Sequence, residues 1–236
     1  MSISVVLFDL DGTLLPMDQD VFLKTYLGML ANRMAPYGYD PKNFVSGIWQ
    51  GTMAVIANDG SRINEDVFWE AFSAIQGKDT LADIKYFEAF YREQFDDVRS
   101  VCSFNSEARV TVDKIKSAGL RIALATNPVF PSIATEKRMA WAGFEPSDFE
   151  LYTTYENSRY CKPNPKYYLE IASKLGVTPE DCLMVGNDVS DDMAAQKAGM
   201  KVFLLTDCLI NKENEDISVY PNGSFAKLWE YIEKIS

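Results

Sequence analysis

The chain has 236 residues, four cysteines, no histidine and a formal net charge of −11. That acidity argues against a nucleic-acid surface, which requires a basic face. The missing imidazoles exclude Ser-His-Asp and Cys-His catalysis, phosphohistidine chemistry and the usual imidazole zinc sites, leaving carboxylates, Lys, Arg, hydroxyls, thiols and hard metals.

The first element is a run of β-branched and large apolar residues from Val5 to Leu10, which reads as a strand buried on both faces inside a parallel sheet. It ends on Asp9, Asp11 and Gly12. Strand periodicity sends Asp9 and Asp11 to the same side. Two carboxylates so close need a cation between them or a shared proton. An Asx-type turn is the plainer alternative. An EF-hand is excluded, because its glycine follows a helix and stands sixth in the loop.

Residues 18–98 read as four amphipathic helices in a small bundle, with no strand. Asp18 caps the first, the second runs over 44–57, Asn64 caps the third and the fourth spans 79–98. From Asn105 the pattern alternates between helix and strand. Helices are expected to end at Gly119, Gly143 and Gly176. Strands are expected over 120–125, weakly over 151–153, and over 182–185 and 201–205. Ser190 caps a helix to Ala198, and a last helix carries Phe225, Leu228, Trp229 and Ile232. The fold class is therefore α/β, a doubly wound parallel sheet with an inserted helical lid. The cysteines at 102, 161, 182 and 208 form no CxxC pair, and no apolar run approaches the roughly 18 residues of a membrane span. A cytoplasmic protein without membrane or nucleic-acid partners is expected, as monomer or homodimer.

Three later segments add polar groups at strand ends. Thr126 and Asn127 offer a hydroxyl and free amides that could cradle phosphoryl oxygens, or simply a turn. Lys162, held between Cys161 and Pro163 in a proline-rigid loop, can set one ammonium beside an anion, although a lone lysine is ordinarily solvated. The stretch Gly186-Asn187-Asp188-Val189-Ser190-Asp191-Asp192 offers oxygen ligands for Mg²⁺, or acids that cap a helix. All of these converge on the crevice that already holds Asp9 and Asp11.

With these motifs in this order, the chain resembles the haloacid dehalogenase superfamily, specifically its phosphatase-like members with a helical cap. Asp9 to Leu14 match the first motif, Asp-x-Asp-Gly-Thr-Leu, in full. The resemblance implies a Rossmann-like catalytic core over 1–16 and 100–236 and a cap over 17–99. It implies that Asp9 attacks phosphorus, Asp11 serves as acid and then base, and Thr126, Asn127 and Lys162 hold the phosphoryl group. Mg²⁺ would sit on Asp9, Asp11 and Asp188, with Asn187 and Asp192 in support. The family's fourth motif has Asp straight after Gly, where this chain has Asn187: either Asp188 takes the ion with Asp192 behind it, or Asn187 coordinates through its carbonyl and Asp192 assists, and Asp188 is preferred because an anion holds Mg²⁺ more firmly than an amide. The implied activity is hydrolysis of a small phosphorylated metabolite. The alternatives are a phosphosugar mutase on the same scaffold and a non-catalytic phosphate-binding scaffold. Trp49, Phe68, Trp69, Phe87, Phe90 and Tyr91 of the cap are expected mostly to pack the bundle.

Overall fold

A computed structural model describes residues 3–236. Strand β1 (Val5–Phe8) is fully buried and opens a five-stranded sheet. The chain then leaves the sheet for four helices: α1 (Gln19–Met34), α2 (Pro41–Ile56), α3 (Asn64–Gln76) and α4 (Ile84–Glu93). It returns through α5 (Ser106–Ser117), β2 (Arg121–Leu124), α6 (Ser132–Trp141) and α7 (Pro165–Leu175), and then β3 (Cys182–Gly186) and β4 (Lys201–Leu205). A short β5 (Asn222–Gly223) and helix α8 (Phe225–Ile235) complete it. The order is β2-β1-β3-β4-β5 and every pairing is parallel. Helices cover both faces, which is why the strands are apolar throughout instead of alternating.

The alternation of β1 divides the core into two layers. Val6 and Phe8 face α5 and α8, meeting Val112, Ile115, Leu228 and Ile232. Val5 and Leu7 face the other way, into Tyr167, Tyr168 and Ile171 of α7 and Ala194 and Ala195. The first layer continues into the inserted helices, whose interior is aromatic: Phe44, Phe72 and Phe87 stack and edge against one another, and so do Tyr26, Phe90 and Phe95. The two strands of chain entering and leaving this insertion are tied together by an antiparallel bridge between Met17 and Cys102 and by Ser103 N donating to Pro16 O at 2.8 Å.

Several expected boundaries shift for identifiable reasons. Asp18 does cap α1, accepting from the amides of Asp20 and Val21. Helix α2 begins earlier than expected, at Pro41, with Asp40 as its cap. The expected fourth helix divides into a 3₁₀ turn (Leu81–Asp83), α4 and a second 3₁₀ segment (Phe95–Val101). Its last part is drawn onto the core, where Trp141 Nε1 donates to Asp96 Oδ1 at 2.9 Å and Phe95 is buried. Asn64 is not a cap: Ile63 holds that place, and the Asn64 side chain turns inward. Ser190 does not start a helix, because Asn187 and Val189 pair their backbones with Ile210; only a 3₁₀ segment, Met193–Ala198, follows. Residues 151–153 run beside β2 with a single bridge, Leu124 to Tyr152. Strand β5, two residues long, carries no apolar pattern by which it could be foreseen.

Candidate active site

Strand β1 delivers Asp9 and Asp11 to the carboxyl edge of the sheet between two parallel neighbours. Ala125 N donates to Phe8 O at 2.7 Å on one side, and Asp9 N donates to Val185 O at 2.9 Å on the other. Thr126 and Asn187 therefore leave the sheet beside Asp9, in the crevice where open α/β sheets place their ligands. Beyond Asp9 the chain closes a tight loop, with Thr13 N and Leu15 N both donating to Leu10 O. Gly12 makes that loop possible. Its φ is +83°, and a Cβ there would collide with the Asn187 amide.

Lys162 is the buried cation of the site. Its side chain is 2 % exposed, and Nζ lies 2.8 Å from Asp9 Oδ1 and 2.6 Å from Asp192 Oδ1. The loop that carries it runs into α7, whose first turn Asn164 caps, and the Lys162–Pro163 peptide is cis. Burial alone would lower the lysine, but Asp192 and Asp9 together hold it well above its ordinary value. Burial pushes Asp9 up to about 7, against the pull of Lys162 and with the repulsion of Asp192 added. One lysine is shared by these two buried carboxylates.

The loop after β3 divides its labour in a way the sequence pattern did not reveal. Asn187 faces Asp9: Thr13 Oγ1 is 3.0 Å from Asn187 Oδ1 and 3.3 Å from Asp9 Oδ2. Its Nδ2 donates to Cys208 O at 2.6 Å, which turns the amide oxygen toward the site. Asp188 instead commits Oδ1 to the amides of Ser190 and Asp191 in its own loop. Asp192 stands behind Lys162, its second oxygen taking the Asp188 amide at 2.9 Å. Gly186 is needed here too, since a Cβ would overlap the Asp192 carboxylate. Asp191 was not singled out by its position, yet it comes within 3.5 Å of Asn127 Nδ2, and burial pushes it up to about 6.

Thr126 is buried, and its carbonyl accepts from Thr153 Oγ1 at 2.6 Å and from the Tyr167 hydroxyl at 2.8 Å. These bonds fix the loop that presents Thr126 and Asn127. The Asn127 Oδ1 atom is buried without a partner.

The donor set suits a hard dication. Asp9, Asp11, Asp188, Asp191 and Asp192 outnumber the two buried cations, Lys162 and Arg138, and Asp11 Oδ1 is buried without a partner. Among the described residues no three acids, cysteines or histidines converge tightly enough to hold an ion by themselves. An ion here would rest on a carboxylate, neutral oxygens and water, which is how Mg²⁺ binds. Asp11 and Asp192, both expected near the ion, are each already paired with a buried cation.

A family model of haloacid dehalogenase-like hydrolases matches residues 3–199. The chain belongs to that family. This hydrolase is 32% identical over 197 residues to a phosphoglycolate phosphatase of Xylella fastidiosa, covering 83% of this chain and 76% of that one. It is 25% identical over 206 residues to the pyrophosphatase PpaX of Bacillus velezensis, with 84% and 81% covered. The crystal structure of a predicted phosphoglycolate phosphatase from Haemophilus somnus shares its fold, with a TM-score of 0.60 at 19% identity and 98% of each chain covered.

Arg138 carries no role in the sequence analysis, and Asn64 appears there only as a helix cap. Arg138 of α6 is wholly buried and pairs with Asp11 Oδ2. The signal was available: Arg138 occupies the same helix face as Ala134, Thr135 and Met139, a charge on the apolar stripe. Asn64 joins the inserted helices to the core, donating to Pro128 O at 3.2 Å and accepting from Asn58 Nδ2 at 2.8 Å. Between those helices and the core lies a cavity of about 280 Å³, lined by Leu27, Trp49, Phe68, Trp69, Phe130 and Glu65 among others. Of the expected packing aromatics, Phe68, Trp69, Phe87, Phe90 and Tyr91 are buried, whereas Trp49 is 45% exposed at the cavity wall. No helix among the described residues is long and apolar enough to cross a membrane.

Proposed function

We propose that this hydrolase is a Mg²⁺-dependent phosphatase acting on a small phosphorylated metabolite in the cytoplasm. The observation that carries the reading is Asp9, held at the end of a buried strand against the buried ammonium of Lys162 with Asp11 two residues beyond. A carboxylate fixed beside a cation in a dry crevice is an activated nucleophile rather than a surface charge. In this reading an Asp9 oxygen attacks phosphorus while the bond to the leaving oxygen breaks. Asp11 gives that oxygen its proton. Water then attacks the aspartyl-phosphate, Asp11 takes up the water's proton, and inorganic phosphate leaves with Asp9 restored. Thr126, Asn127 and Lys162 hold the phosphoryl oxygens.

Asp9 and Asn187 would hold the Mg²⁺, with Asp188 and Asp191 adding negative charge nearby. The ion would supply neutralisation of the phosphoryl oxygens and keep Asp9 ionised. Residues 17–99 act as a cap that excludes water during transfer. The Xylella fastidiosa and Bacillus velezensis relatives, named for phosphoglycolate and pyrophosphate, support a small substrate, and four free thiols suit a reducing compartment.

The test is release of inorganic phosphate from aryl and metabolite phosphates with Mg²⁺ and with EDTA. Hydrolysis that stops with EDTA and in Asp9→Asn supports the reading. Full turnover by Asp9→Asn overturns it, and interconversion of sugar phosphates without release marks a mutase instead.

A further inference from the structure

Arg138 is the least expected charge in this molecule. It projects from the middle of α6 with no exposed surface, and all its surroundings are specific. Nε donates to Ala134 O at 3.2 Å and Nη2 to Thr135 Oγ1 at 3.3 Å, while Nη1 pairs with Asp11 Oδ2. The guanidinium carbon lies over the Phe130 ring, 4.2 Å from its centre. An arginine so fixed has no freedom to follow a moving partner, so Asp11 must take its orientation from Arg138.

Asp11 has no comparable support of its own. Asp9 is held by Lys162 and Thr13, but Asp11 is anchored through a single oxygen. The other oxygen, Oδ1, is buried and meets no partner. A free carboxylate turns about its Cβ–Cγ bond, presenting either oxygen in a broad range of directions. With Oδ2 clamped, only Oδ1 remains to exchange a proton, and its direction is set.

We propose that Arg138 is a positioning residue for proton transfer, which clamps Oδ2 of Asp11 and so aims Oδ1 at the leaving oxygen. This rests on the phosphatase reading with Asp11 as its acid. The clamp matters only where the leaving group needs a proton. A dinitrophenolate leaves without one, whereas a simple alkoxide or phenolate does not leave readily unprotonated.

The experiment compares kcat/KM of wild type, Arg138→Met, Arg138→Lys, Asp11→Asn and the double variant Arg138→Met/Asp11→Asn on dinitrophenyl phosphate and on ethyl phosphate. The ratio kcat/KM covers steps up to departure of the leaving group, so the later attack of water does not blur the comparison. General acid catalysis contributes roughly 10²–10⁴-fold. The loss on ethyl phosphate in Arg138→Met is therefore expected to exceed its loss on dinitrophenyl phosphate by about 10²-fold or more. Lysine cannot reproduce the fork and should restore only part of it. In an Asp11→Asn background, adding Arg138→Met should cost nothing further on ethyl phosphate. Equal losses on both substrates, no loss, or full additivity with Asp11→Asn would overturn the proposal. If Arg138→Met does not fold, Arg138→Lys is read against the same criteria. Wild-type protein that hydrolyses neither substrate refutes the phosphatase reading itself, apart from any role of Arg138.

Discussion

Replacing Lys162 by Met tests the electrostatics of the site without any substrate. Methionine has nearly the reach of lysine and no charge, so the perturbation is loss of one ammonium between two buried carboxylates. Lys162 lies 2.8 Å from Asp9 and 2.6 Å from Asp192, with side chains 11% and 1% exposed. Removing one partner of a buried ion pair costs about 3–5 kcal/mol. At about 2–4 °C per kcal/mol for a chain of this size, the melting temperature of the metal-free protein should fall by roughly 6–20 °C. The penalty also depends on pH in a definite sense. Asp9 binds its proton up to about 7 in the folded protein, against 3.8 ordinarily. Between those values the folded state holds a proton that the unfolded chain releases, so stability falls as pH rises through that window. Without Lys162, Asp9 must hold its proton to still higher pH. Near pH 5 a proton can take the place of the ammonium, and near pH 8 it cannot. Thermal melts in EDTA should therefore show a larger penalty near pH 8 than near pH 5. A shift below about 2 °C, or the same shift at both pH values, would refute this account of the site.

Two more outcomes follow from the same geometry. Saturating Mg²⁺, at about 100 times its Kd, should stabilise the folded wild type by about 2.7 kcal/mol, read as a rise in melting temperature of roughly 5–10 °C. That rise should vanish in Asp9→Asn. Asn64→Ala strips the Pro128 carbonyl and the Asn58 amide of a buried partner, which costs about 1–3 kcal/mol. It should be read by thermal melting and by faster proteolytic cleavage within residues 17–99.

The strand and its acids were legible because their signal is local. A wholly apolar run that ends on Asp-x-Asp-Gly can be buried on both faces and punctuated in only a few ways, and β1 pairs with β2 and β3 as such a run should. Lys162 was legible because its prolines limit the loop. The loop after β3 was not, since no period says which of Asn187, Asp188, Asp191 and Asp192 turns inward. That is decided by the pairing of this segment with Cys208 to Ile210, some twenty residues away. The same limit explains Asn64, whose residue type invited a capping role that Ile63 holds. Arg138 was hidden by its neighbours: within Thr-Glu-Lys-Arg it resembles a solvated face, and only its register with Ala134 and Met139 betrays burial.

The bridge between Met17 and Cys102 places both crossings of the chain side by side. Two adjacent crossings make a single root, from which the whole helical insertion extends. Only four residues lie between Asp11 and Pro16, whose carbonyl is fastened to Ser103 at that root. Asp11 therefore sits beside the root of the insertion rather than at its far end, and one fastening serves both.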